Sequence, residues 1–122
     1  MLIKQEQDFL DNFKTQMEIA EFKQVQELGQ YCDNRYQFAK THSVYVKDWE
    51  KTKTNMIKKM EQNQFSSTLS RVVVEEMIKI SDSVMQEKLA MVRLIFEKKF
   101  GESIYNFLGK DGKTKKLFGI FG

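Results

Sequence analysis

Residues 69–100 read LSRVVVEEMIKISDSVMQEKLAMVRLIFEKKF, and their spacing sets the architecture expected of the whole chain. At 100° per residue, Leu69, Val73, Met77, Ile80, Val84, Met91 and Ile95 fall within one sector of about 80°. Val74, Ile78, Met85, Leu89, Val92, Phe96 and Phe100 fill a second sector beside it, and Ser81, Lys88 and Lys99 mark the seam. Glu75, Lys79, Asp82, Gln86, Arg93 and Glu97 occupy the remaining side and are expected to face water. A surface helix carries one apolar stripe; a helix with two belongs in the middle of a bundle. Ser66, Ser67 and Thr68 offer hydroxyl caps at its start, and Lys98, Lys99 and Gly101 signal its end. The run Val72-Val73-Val74 favours a strand locally, but the helical period is kept over about thirty residues and overrides it.

Outward from that stretch, residues 3–40 read as a first long helix. Leu10, Phe13, Met17, Val25, Leu28, Cys32, Tyr36 and Ala39 recur at steps of three and four, with Phe9, Ala20 and Phe38 flanking the same face. Gly29 is a break point within it. Ile19 and Phe22 lie toward the opposite side. They are read either as a local bend or second contact inside the bundle, or as an exposed apolar pair that docks a protein partner. Thr41-His42-Ser43 is taken as the joint to a second helix over residues 43–63. Val44-Tyr45-Val46 resembles a strand by itself, but Val46, Trp49, Met56, Ile57 and Met60 gather on one helical face. Lys40, Lys47, Lys51 and Lys58 fall within about 40° of each other on the opposite face. The expectation is an all-α, elongated three-helix bundle with helices over about 3–40, 43–63 and 68–100, formed by a single domain of residues 1–122.

After Gly101 a short helix ending at Gly109 is expected, then a turn at Lys110-Asp111-Gly112-Lys113. Residues 110–122 form a basic and aromatic tail. Leu117, Phe118, Ile120 and Phe121 are too apolar for an ordinary disordered tail. The tail caps one end of the bundle, docks on another subunit, or lies against a membrane surface, the last being the least favoured.

Composition narrows the functional classes. The chain has no proline, and charged residues make up 30% of it. No run approaches the roughly 20 apolar residues of a membrane span. The opening MLIKQEQDFL is charged from Lys4 and reads as no secretory signal. The single Cys32 has no internal disulfide partner, which points to a reducing compartment, the cytoplasm of a cell or of an infected host. Net charge is −4 over residues 1–33 and +5 over 34–60. Acidic and basic segments in succession suit an antiparallel hairpin whose opposite charges face each other.

The motifs of catalysis are missing from the sequence. His42, the only histidine, has no second ligand at metal spacing and is read as a polar surface residue in a joint. Cys32 reads as a small buried hydrophobe. No phosphate-binding glycine loop occurs, and adjacent acids such as Glu75-Glu76 splay apart on a helix. The chain is therefore expected to be no enzyme, with no catalytic residue, cofactor or metal. The leading expectation is a protein–protein interaction component, assembly, structural or adaptor in kind, working through Ile19, Phe22, Leu117, Phe118, Ile120 and Phe121, with self-association. The alternative is a nucleic-acid-associated regulator whose lysine row, Lys40, Lys47, Lys51 and Lys58, follows a phosphate backbone, with Tyr45 and Trp49 as neighbouring aromatics. A second alternative is an inhibitor that blocks a partner enzyme.

FGESIYNFLG, residues 100–109, resembles a motif of small helical proteins from phages of low-GC Gram-positive bacteria. In those proteins a helix ends in Phe-Gly-Glu-Gly and a Leu-Phe-Gly or Ile-Phe-Gly follows a few residues later. Here Ser103 replaces the second glycine and the spacing is one residue shorter. The resemblance implies a tail-assembly chaperone or minor structural protein. A phage or mobile-element origin also fits a small, Lys- and Gln-rich chain.

Overall fold

The computed structural model describes residues 2–64 and 69–115. Three helices carry the fold: α1 (Lys4–Tyr31), α2 (Arg35–Glu61) and α3 (Arg71–Phe100), followed by one 3-10 turn, Ile104–Asn106. At 30 residues, α3 is about 45 Å long. The three-helix, all-α bundle expected from the sequence is the fold observed.

Contacts along α3 give the topology. Ser70 meets Glu6, Lys88 meets Glu21 and Lys99 meets Gly29, so α1 runs parallel to α3. Trp49 meets Asp82 and His42 meets Arg93, so α2 runs antiparallel to both. Both apolar rows of α3 enter the core: Ile78, Met85, Leu89, Val92 and Phe96 are buried in one, Val73 and Val84 in the other. The seam is buried as well: Ser81 and Lys88 are both almost fully covered.

The joint between the first two helices is at residues 32–34, not at Thr41-His42-Ser43. Asn34 sits in extended backbone at φ −101°, and its Oδ1 accepts the Gln37 N–H at 3.0 Å. An amide oxygen on an otherwise free helix donor fixes the start of α2 there. The link is so short that Tyr36, Phe38 and Ala39 keep apparent step with α1, although they belong to α2. Phe38 and Ala39 are fully buried. Thr41, His42 and Ser43 are ordinary helical positions.

The end of α1 is held from outside. It has no basic residue in its last turn, and Lys99 of α3 supplies one, donating to the Gly29 carbonyl at 2.7 Å and pairing with Asp33 at 2.9 Å. A Cβ on Gly29 would stand 3.0 Å from Ile95 Cγ2, so the glycine marks the close approach of α1 to α3 and not a break. α3 starts at Arg71, two residues later than its apolar pattern, because Ser70 Oγ accepts the Val73 N–H. The proposed caps Ser66, Ser67 and Thr68 lie outside the described residues. At the other end Gly101, at φ +70°, closes the helix as expected.

A buried apolar cluster lies at that end: Val25, Phe38, Ala39, Val92, Phe96, Ile104, Phe107 and Leu108. Phe38, Phe96 and Phe107 meet edge to face at 5.6 and 6.0 Å, a favoured aromatic geometry. Residues 107–115 then fold back on themselves through Gly109 N–H to Lys113 O and Lys115 N–H to Phe107 O. The Thr114 N–H donates to the buried Ser43 hydroxyl, and Lys113 pairs with Glu50 at 2.7 Å. Residues 110–115 are thus fixed against α2.

Candidate functional site

Lys40, Lys47, Lys51 and Lys58 are all on α2 and all exposed. Their sequence spacing places them in one row, and none is in an ion pair among the described residues. Among the described residues the opposite charges of the first two segments do not pair across α1 and α2. The pairs made by these helices run instead to α3 and the C-terminal segment, as in Glu21–Lys88, Asp33–Lys99, Lys53–Asp82 and Arg35–Glu102. The lysine row therefore keeps its charge.

The two aromatics expected beside that row turn inward. Trp49 is buried, and its indole N–H donates to Asp82 Oδ1 at 2.9 Å. Burial alone would raise the Asp82 pKa; the Trp49 N–H and Lys53 outweigh it and hold the carboxyl below its usual value. Tyr45 is half-buried, with the Lys88 ammonium 3.9 Å from its ring centre. Its phenol pKa is raised by burial and by the charges of Glu21 and Glu27. Neither ring is placed to stack on a base running along the lysines.

Lys88 itself is a buried charge that the seam position alone does not explain. Its side chain is 3% exposed. The ammonium donates to Glu21 and to Gln24 Oε1, both on α1, while α2 contributes the Tyr45 ring. One cation thereby ties all three helices together.

Ile19 and Phe22 stay on the outer side of α1. Ile19 is 60% exposed and Phe22 half-buried. With Thr15, Glu18, Lys23 and Gln26 they line a shallow depression of about 620 Å³. Leu117, Phe118, Ile120 and Phe121, the other half of the expected partner surface, lie outside the described residues.

A polar cleft that no local sequence pattern marks lies between α2, α3 and the turn at residues 109–112. His42 lies in its wall, fully buried and not a surface residue. Its Nδ1 is 2.9 Å from the Gly112 carbonyl oxygen and its Nε2 is 3.2 Å from Arg93 Nη1. A carbonyl only accepts, so Nδ1 carries the proton and Nε2 accepts from the guanidinium. Burial lowers the His42 pKa to about 4; the bond to Gly112 opposes this and the Arg93 charge adds to it. The ring is neutral at pH 7. Asp82 and Arg93, both assigned to the water side of α3, thus face α2 instead. Only the 70-residue separation of His42 from Gly112 hid this site, since no local pattern links them.

Among the described residues no group of three or more His, Cys, Asp or Glu side chains is arranged to hold a metal ion, and no helix is long and apolar enough to cross a membrane. Comparison with protein-family models, curated proteins and solved structures finds no match to this chain.

Proposed function

We propose that this chain is a non-enzymatic interaction protein, an assembly, structural or adaptor component, that receives a protein partner on the outer side of α1. The observation that carries the reading is Ile19: a large apolar side chain 60% exposed in mid-helix, sharing a depression with the half-buried Phe22. A lone exposed aliphatic residue is commonplace, but an apolar pair set in a recess rimmed by Glu18 and Lys23 has the make-up of a contact surface. The phage-like motif at residues 100–109 supports an assembly role and a phage or mobile-element source. The unpaired thiol of Cys32 supports a cytoplasmic setting.

The test is affinity capture from the native source with the wild-type chain and with Ile19→Glu, whose helix stays intact because the site is on the surface. A protein retained by the first and lost by the second is the expected result. Equal retention of every captured protein by both chains would sink the reading. Light scattering on the same two proteins separates self-association from a foreign partner.

The lysine row favours a second reading, binding of nucleic acid along α2. Its four ammonium groups are exposed and free of carboxylate partners among the described residues. Affinity for duplex DNA should then fall steeply with salt, and Lys47→Glu with Lys51→Glu should reduce the slope of log K against log salt by about 2. A flat salt dependence would remove this alternative.

A further inference from the structure

Arg93 is the residue in the cleft that the bundle does not account for. It is half-buried, donates once to neutral His42, and pairs with no carboxylate among the described residues. A guanidinium has five N–H donors in a planar fork, so most of its donors are uncommitted. Two acids, Glu50 and Asp111, also line the cleft, and each already has a partner. Glu50 pairs with Lys113, and Asp111 Oδ1 accepts the Lys113 backbone N–H at 3.0 Å within the turn. Lys110 is on the rim, exposed, and adds a second positive charge without an ion-pair partner among the described residues.

The cleft has a volume of about 330 Å³, and its walls include Trp49 and Tyr105. That is the lower end of small-ligand sites. One wall is set by the Gly112 peptide, whose carbonyl is bound by His42, so the Arg93 fork is oriented by a ring that is itself fixed at its far nitrogen. Orientation through a neutral acceptor leaves the full charge of Arg93 available.

We propose that this cleft binds a small organic oxyanion, a carboxylate or a phosphate monoester, with its charged end on Arg93 and a flat body against Trp49 and Tyr105. Bidentate recognition of a planar carboxylate or a phosphate is what the guanidinium fork is suited to. The site is distinct from the outer side of α1 and from the lysine row, and stands whether or not either of those surfaces binds a partner.

Trp49 is the only tryptophan, so its emission reports on the cleft without labelling. The intact chain is titrated with benzoate, with phenyl phosphate, and with benzylamine as a cation of similar size. A saturable change is expected with the anions and none with benzylamine; the tighter of the two anions identifies the headgroup. Arg93→Gln should weaken binding about tenfold or more, the usual scale of a lost charge-assisted bond. Lys110→Glu, on the exposed rim, should weaken it severalfold while leaving the far-ultraviolet circular dichroism unchanged, and it decides the matter should Arg93→Gln fail to fold. No saturable response to either anion, an equal response to benzylamine, or wild-type affinity in the Lys110→Glu protein would overturn the proposal.

Discussion

His42 Nδ1 donates to the Gly112 carbonyl at 2.9 Å, joining the middle of α2 to a turn at the far end of the chain. The opposite nitrogen, Nε2, accepts from Arg93 and so requires an imidazole that stays neutral, and burial holds its pKa at about 4 against an ordinary 6.5. The unfolded chain therefore takes up a proton between those values that the folded chain refuses. Stability is full above pH 6.5, falls as the pH drops toward 4, and levels off below it. The loss attributable to His42 is up to roughly 3 kcal/mol. Urea unfolding from pH 7 to pH 4 measures it; the chain has one histidine, and comparison with His42→Gln separates its step from carboxylates such as Asp82, which contribute only toward pH 4. His42→Gln should be less stable at pH 7 but lack this step. An imidazole resonance titrating near 6.5 would refute the assignment.

Gly112 is at φ +80°, and a Cβ there would stand 2.8 Å from His42 Cε1 and 3.1 Å from Val46 Cγ2. Gly112→Ala combines a backbone cost of about 1–2 kcal/mol with that collision. Gly101→Ala meets nothing within 4 Å at φ +70° and carries the backbone cost alone. Thermal unfolding of the two variants should rank Gly112→Ala clearly below Gly101→Ala. Equal melting temperatures would mean that the turn is not seated on His42.

Glu21→Leu leaves the Lys88 ammonium buried with only Gln24 and the Tyr45 ring for company. Stranding a buried charge costs about 3 kcal/mol or more, whereas replacing both partners by apolar side chains is often close to neutral. Adding Lys88→Met to Glu21→Leu should recover most of the loss. A double-mutant cycle from urea denaturation tests this, and additive effects would show that the two groups do not interact.

Asn34→Ala removes the side chain that caps α2 and should cost about 1 kcal/mol. Thr41→Ala, at the place where the apolar spacing set the joint, changes a mid-helix residue whose hydroxyl bonds the Gln37 carbonyl. Its effect should stay within about half a kcal/mol. The reverse ranking in denaturant midpoints would move the joint back toward Thr41.

What the sequence alone determined was local and periodic. The two apolar rows of α3, the Gly101 stop, the helical state of Val44-Tyr45-Val46 and the lysine row on α2 all follow from the 3.6-residue repeat, which each segment states for itself. The joint at Asn34 was also written locally, as an N-cap, but the apolar steps through Cys32, Tyr36 and Ala39 carry across a short link and conceal it. Tertiary structure alone decided which polar residues turn inward. Lys88, Asp82 and Arg93 found Glu21, Trp49 and His42 on other helices, and His42 found Gly112 on a distant turn. Periodicity sorts side chains into faces; whether a charge on a face is wet or buried depends on a partner brought from elsewhere in the chain, and burial of a charge is tolerated only where that partner arrives.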